Sequence, residues 1–157
     1  MENKLTIEMI APYLPYGLNI LYTDKEGDKE LHVMGIHDDG GKVRGADEPD
    51  GYPNFSLAVC WRPEHRFRSN GYFYIQANYK PILRPLSQII QKINHNGERF
   101  VPYKKLGWES GDMLISCVKS KTKKDLPYRD AVKLFEWGFD VFSLIPLGLA
   151  IEKGAEG

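Results

Sequence analysis

The sequence predicts a small α+β domain, with a mostly antiparallel sheet from the N-terminal half and a few short helices, mainly C-terminal. Three observations carry that expectation. Before residue 80, apolar side chains alternate with period two in several segments, the spacing of a half-buried strand. Beyond residue 85 they recur at i, i+3, i+4 and i+7, the spacing of one helical face. The chain has 157 residues, of which 42% are apolar, enough for one domain with a packed core. Wholesale disorder, a collagen repeat and a disulfide-stapled mini-scaffold are thereby excluded.

Taken in order, Thr6 can cap a short first helix that ends near the Pro12–Pro15 pair. Leu18 to Thr23 and Leu31 to Ile36 read as strands around the turn-forming run Asp24-Lys25-Glu26-Gly27-Asp28. From Asp38 to Pro53 there are four Gly, two Pro and five Asp or Glu with almost no periodicity. That composition predicts a long exposed loop or a hairpin arm over 38–53. Phe55 to Trp61 and Gly71 to Tyr79 are the next strands. In the second, Phe73, Ile75, Ala77 and Tyr79 share one face, and Tyr72 and Tyr74 lie on the other.

Ser87 can cap a helix whose Leu86, Ile89, Ile90 and Ile93 form one stripe. Asn96-Gly97 turns the chain into a strand from Arg99 to Val101, and Met113 to Val118 reads as another. Asp125 and Pro127 start the best helix, where Tyr128, Ala131, Val132 and Phe135 repeat the helical spacing and Gly138 closes it. Asp140 to Gly148 adds a further helical turn before Leu149-Ala150-Ile151. The whole, residues 1–157, is expected to be a single domain.

Charge and cysteine content narrow the function classes. Lys and Arg total 21 and Asp and Glu total 21, which excludes a histone-like basic coat and an acidic nucleic-acid mimic. The balance is a cancellation, because residues 1–60 carry a net −6 and residues 61–157 a net +6. An anion site therefore belongs in the second part. Met1 to Thr6 is polar, without the apolar core of a secretory signal, and no stretch approaches the roughly 18 apolar residues of a membrane span. Cys60 and Cys117, each in an apolar segment read as strand, fit reduced thiols of a cytoplasmic protein.

One constellation points to chemistry. Trp61-Arg62-Pro63-Glu64-His65-Arg66-Phe67-Arg68 is followed by Tyr72 and Tyr74, with Lys80 and Arg84 just beyond. Guanidinium groups bind phosphates bidentately and aromatic faces stack on bases, so this interleaving suits a nucleotide or a single strand. The competing interpretation is a solvated hairpin loop with Arg stems lying on aromatic rings. A second basic cluster, Lys119, Lys121, Lys123 and Lys124 with Ser120 and Thr122, can hold a phosphate or serve as a solvated connection. Catalytic signatures are poor. The four His show no helical zinc spacing, neither Cys lies in a Cys-x-x-Cys pair, and no Ser sits in a nucleophile elbow. No cofactor and no metal are expected.

Several blocks of text are recognisable. They are Ala11-Pro12-Tyr13-Leu14-Pro15-Tyr16-Gly17-Leu18, Lys80-Pro81-Ile82-Leu83-Arg84-Pro85-Leu86-Ser87, Asn96-Gly97-Glu98-Arg99-Phe100-Val101-Pro102, and Leu134-Phe135-Glu136-Trp137-Gly138-Phe139-Asp140-Val141-Phe142 with Gly148-Leu149-Ala150 after it. Over roughly residues 5–23 and 79–152 the chain resembles a family of small proteins carried by bacterial phages and prophages. The resemblance implies a phage-borne accessory role in the cytoplasm of the bacterial host, and it implies no catalytic residue. With the Arg/aromatic segment, it leads to a non-enzymatic protein that binds and sequesters a small phosphorylated or nucleotide ligand, of an anti-defence type. Two alternatives stay open: an inhibitor or adaptor of a host protein, using the 38–53 loop and exposed aromatics, and a nucleic-acid-binding protein. No membrane partner is expected, and a homodimer, the commonest oligomer, would wall a shared pocket.

Overall fold

The computed structural model describes residues 5–38, 55–61, 72–75 and 77–154, without the side chains of residues 37, 38, 55 and 72. The expected loop at 38–53 lies outside the described residues from residue 39 onward. The fold is α+β, with a six-stranded sheet, a two-stranded ribbon and several short helices. The chain packs as two compact units, Met1–Ile82 and Leu83–Gly157.

The first unit opens with α1 (Ile7–Ile10) and a 3₁₀ segment, Ala11–Tyr16. Thr6 occupies the capping position, but its hydroxyl makes no capping hydrogen bond; its carbonyl accepts from the Met9 N–H at 3.2 Å instead. β1 (Asn19–Asp24) and β2 (Gly27–Asp38) follow as a tight hairpin, its register running from Asn19 opposite His32 to Asp24 opposite Gly27. The turn is fixed by Asp24, whose carboxylate accepts the Glu26 N–H at 2.8 Å, an Asx turn. β3 (Phe55–Cys60) pairs with β2, and β4 (Tyr72–Ile75) pairs with β3, both antiparallel.

The segment expected as one strand from Gly71 to Tyr79 is two. β4 ends at Ile75 and β5 (Tyr79–Leu83) pairs instead with β1. The break is at Asn78, which takes a left-handed φ of 62° and gives its carbonyl to the Thr23 N–H at 2.9 Å. Asn is among the few non-glycine residues that visit this region readily. The strand order in this unit is β4-β3-β2-β1-β5. Register puts Ile20, Leu31, Val33, Val59 and Phe73 on one face, and the first four are buried.

The second unit begins with a 3₁₀ segment, Leu86–Ile90, preceded by Pro85, so Ser87 lies inside it rather than capping it. Ile93, expected on the same stripe, instead opens β6 (Ile93–His95), which pairs with β7 (Glu98–Phe100). Asn96 and Gly97, at φ 52° and 86°, make the two-residue turn between them, for which consecutive positive φ values are needed. α2 (Pro102–Lys105) and α3 (Gly111–Lys119) follow. The expected strand from Met113 to Val118 is therefore a helix, with Leu114 and Val118 buried four residues apart on one side. Ser110 caps it by accepting the Met113 N–H at 3.4 Å. Cys117 accordingly lies on a helix. Neither it nor Cys60 forms a disulfide.

α4 (Tyr128–Glu136) begins directly after Pro127, as expected, and Gly138 at φ 76° turns the chain out of it. Turns, not a regular helix, follow from Asp140 to Gly148. Asp140 is buried and organises them by accepting the N–H groups of Leu144 at 2.7 Å and Ile145 at 2.9 Å. β8 (Ile151–Glu152) closes the unit, and Lys153 donates its N–H to the Leu83 carbonyl at 2.7 Å. Leu86, Ile89, Leu114, Val118, Leu134 and Phe139 form the centre of the core. Among the described residues no helix is long and apolar enough to cross a membrane.

Candidate functional site

The sequence-predicted site residues fall into both units. Trp61, Tyr72, Tyr74 and Lys80 belong to the first; Arg84, Lys119 and Lys121 belong to the second. Arg62, Arg66 and Arg68 lie outside the described residues, as does the side chain of Tyr72.

Strand alternation separates the aromatics that sequence spacing had grouped. Val59 stands opposite Phe73, and the Trp61 ring meets the Phe73 ring at 5.7 Å between centroids, so Trp61 belongs to that face. Tyr74 is the next residue along β4 and points from the opposite face. Lys80, opposite Leu21, shares the Tyr74 face. Four inter-strand steps of about 4.8 Å separate β4 from β5, roughly 19 Å in all. Trp61, Tyr74 and Lys80 are thus not walls of one small pocket.

What the first unit does assemble is a platform around Trp61. The indole stands in a bend just after β3 and is 50% exposed, with Phe73 beside it. The Lys29 ammonium lies 5.3 Å from the ring centroid, within cation–π range. Sequence inspection missed Lys29, which β2 delivers from a remote part of the chain. Lys29 also contacts Asp24 at 2.8 Å and Glu26 at 2.9 Å. Its hydrogen bond to Asp24 raises its pKa above 10.5 and holds the Asp24 carboxyl below 3.8. The two carboxylates already balance this cation. Tyr74, 53% exposed on the other face, is a separate exposed aromatic.

Arg84 occupies a different role from the one its sequence context implied. It is only 2% exposed. Its Nε donates to the Trp137 carbonyl at 3.0 Å and its Nη2 to the Asn94 carbonyl at 2.8 Å. Its own N–H donates to the Gly138 carbonyl at 2.7 Å, and its carbonyl accepts from Asp140 at 2.9 Å. The guanidinium therefore sits at the C-terminal, negative end of α4, where a cation is favoured. This is a fold-holding residue inside the second unit.

The lysine cluster is divided as well. Lys119 and Lys121 are exposed at and just beyond the end of α3. Lys123 folds back, donating to the carbonyls of Val118 and Ser120 and so capping that helix. Burial lowers its pKa, against an opposing pull from Asp140.

The second unit also carries a groove that nothing in the sequence marked. It has a volume of about 350 Å³, is open to solvent, and lies between the segment joining α2 to α3 and the start of α4. Leu106, Trp108, Met113 and Pro127 supply apolar surface, and Glu109 and Arg129 supply charge. The buried Asp130 carboxylate accepts the Trp108 indole N–H at 2.9 Å and so fixes the ring. Among the described residues no group of three or more His, Cys, Asp or Glu is placed to hold a metal ion.

Fold and surface together define a small α+β protein that exposes aromatic side chains on each of its two units. The chain matches no protein-family model, no curated protein and no solved structure.

Proposed function

We propose that the chain is a phage-borne accessory protein that acts by binding rather than by catalysis. Its ligand is a small phosphorylated or nucleotide molecule held at the Trp61 end of the first unit, in the manner of an anti-defence sponge. The observation that supports this reading is the Trp61 platform. A half-exposed indole with a cation near its ring stands immediately before Arg62, Arg66 and Arg68 in the chain. An exposed indole offers a stacking face for a base, and guanidinium groups offer bidentate partners for phosphate.

Titration calorimetry against a panel of mono-, di- and cyclic nucleotides and ADP-ribose-type molecules tests it. Binding is expected for at least one ligand, which is recovered unchanged. Trp61→Ala is expected to remove about 1–3 kcal/mol of binding free energy, the worth of one stacked base. A panel without any binder, or a ligand that is turned over, would sink the reading.

A further inference from the structure

The turn of the β1–β2 hairpin brings a carboxylate to the Trp61 platform that stacking alone does not use. The Glu26 side chain is 81% exposed, yet the residue is held at two points. Its N–H donates to Asp24 Oδ1 at 2.8 Å, and its Oε2 accepts from Lys29 Nζ at 2.9 Å. Among the described residues Glu26 Oε1 has no hydrogen-bond partner. Lys29 is itself fixed by Asp24 at 2.8 Å and lies 5.3 Å from the Trp61 ring centroid. Direct contact with a ring comes at about 3.5–4.0 Å, so the ammonium stands off the indole rather than covering it. One ammonium thus links a half-exposed indole to an exposed carboxylate.

The kind and order of these groups select among bases. Lys29 Nζ only donates, and the two Glu26 oxygens only accept. The Watson–Crick edge of guanine is the complement: the O6 acceptor, then the N1–H and N2–H donors. Adenine and cytosine offer a carboxylate one amino group, and uracil offers it one N–H, so with each of them an oxygen goes without a partner. A carboxylate also repels a phosphate, which puts the base of a nucleotide, not its phosphate, at the hairpin end. We propose that Glu26 is the specificity-determining residue of the Trp61 site and that the base stacked there is guanine, with Lys29 holding the carboxylate in place. This rests on the Trp61 reading and adds to it which base is chosen and which residue chooses it.

The test is calorimetry on the full-length chain with guanosine, inosine, adenosine, cytidine and uridine monophosphates and the homodinucleotide of each base. The guanine ligands are expected to bind roughly tenfold or more tighter than those of adenine, cytosine and uracil, the worth of one bidentate base contact. Hypoxanthine, which lacks the N2 amino group, falls between. Glu26→Gln brings the series to near parity, with an unchanged melting temperature as the control for folding. Trp61→Ala weakens every ligand alike. Equal binding of all five bases overturns the assignment of Glu26 and leaves the Trp61 platform standing. A guanine preference that survives Glu26→Gln overturns it too, as does a lower melting temperature with the series unmoved, which would confine the Lys29 pair to fastening the hairpin. Binding of none of these ligands overturns both this assignment and the Trp61 reading beneath it.

Discussion

Replacing Arg84 by Met separates a structural cation from a ligand-binding one. Methionine keeps the length of the apolar stem and removes the guanidinium, leaving the carbonyls of Trp137 and Asn94 without the donors they have at 3.0 and 2.8 Å. Hydrogen bonds to a charged group are worth about 1.5–3 kcal/mol each, so two amount to about 3–6 kcal/mol. Removing a cation from the interior returns part of that through the desolvation it no longer suffers. The net loss is then about 2–4 kcal/mol, a sizeable share of the roughly 5–15 kcal/mol that holds a domain together. At about 2–4 °C per kcal/mol for a chain of this size, the melting temperature falls by roughly 4–16 °C. Urea unfolding followed by near-ultraviolet circular dichroism measures the loss, because Trp137 lies beside the substituted residue in the second unit. A variant within about 0.5 kcal/mol of the parent, as a surface substitution would be, refutes the structural role.

Three further outcomes are expected. Gly111→Ala destabilises the chain by about 1–3 kcal/mol through overpacking, because the new Cβ falls 2.2 Å from Ile90 Cγ2 and 3.2 Å from Tyr103 Cδ1. Adding Ile90→Ala restores stability, whereas a stabilising single variant, as helix propensity alone predicts, would contradict the contact. Asp140→Ala strips the acceptor from the Leu144 and Ile145 N–H groups and costs about 2–3 kcal/mol by thermal or chemical unfolding. Indifference to that change would show that the 141–148 turns stand without it. The Asp24 carboxyl, held low by Lys29, titrates below 3.8 by NMR and moves up in Lys29→Ala. Because the folded pKa is depressed, the stability from this group is present above 3.8 and lost as pH falls through the folded value. An Asp24 midpoint unmoved by Lys29→Ala would show that the pair does not form.

Legibility followed how local the determinants were. The β1–β2 hairpin was readable because alternation on both strands meets at Asp24 and Gly27, and the Asn96-Gly97 turn because two positive φ values demand such residues. α4 was readable from its Pro127 and Gly138 boundaries, but the expected stripe is not its core face: Tyr128 is 85% exposed, and Asp130 and Leu134 are the buried residues. Met113 to Val118 was misjudged because a short apolar run has no decisive period, and the Ser110 cap with Leu114 and Val118 packed into the core makes it helical. The candidate site suffered most. Trp61 and Tyr74 are neighbours in sequence pattern but belong to opposite faces, and Lys29 reaches Trp61 only through the pairing of β2 with β3. Arg84 looked like a surface cation because the carbonyls it serves lie at residues 94 and 137.

The second unit is fastened by its own extremities: Leu83 accepts from Lys153, Gln88 donates to the Lys153 carbonyl, and Arg84 reaches Trp137. For a chain emerging from a ribosome this imposes a waiting time. At about 5–20 residues per second, the 70 positions from Leu83 to Lys153 take roughly 4–14 s to synthesise. Throughout that interval the Leu83 carbonyl and the Gln88 amide lack their Lys153 partners, and Arg84 has Asn94 but not yet Trp137 for most of it. The hairpins and α3 can form from local contacts, but the unit as a whole locks late and from its tail. Trimming a few residues around Lys153 should therefore harm expression out of proportion to their number, while a comparable deletion inside an exposed turn would not.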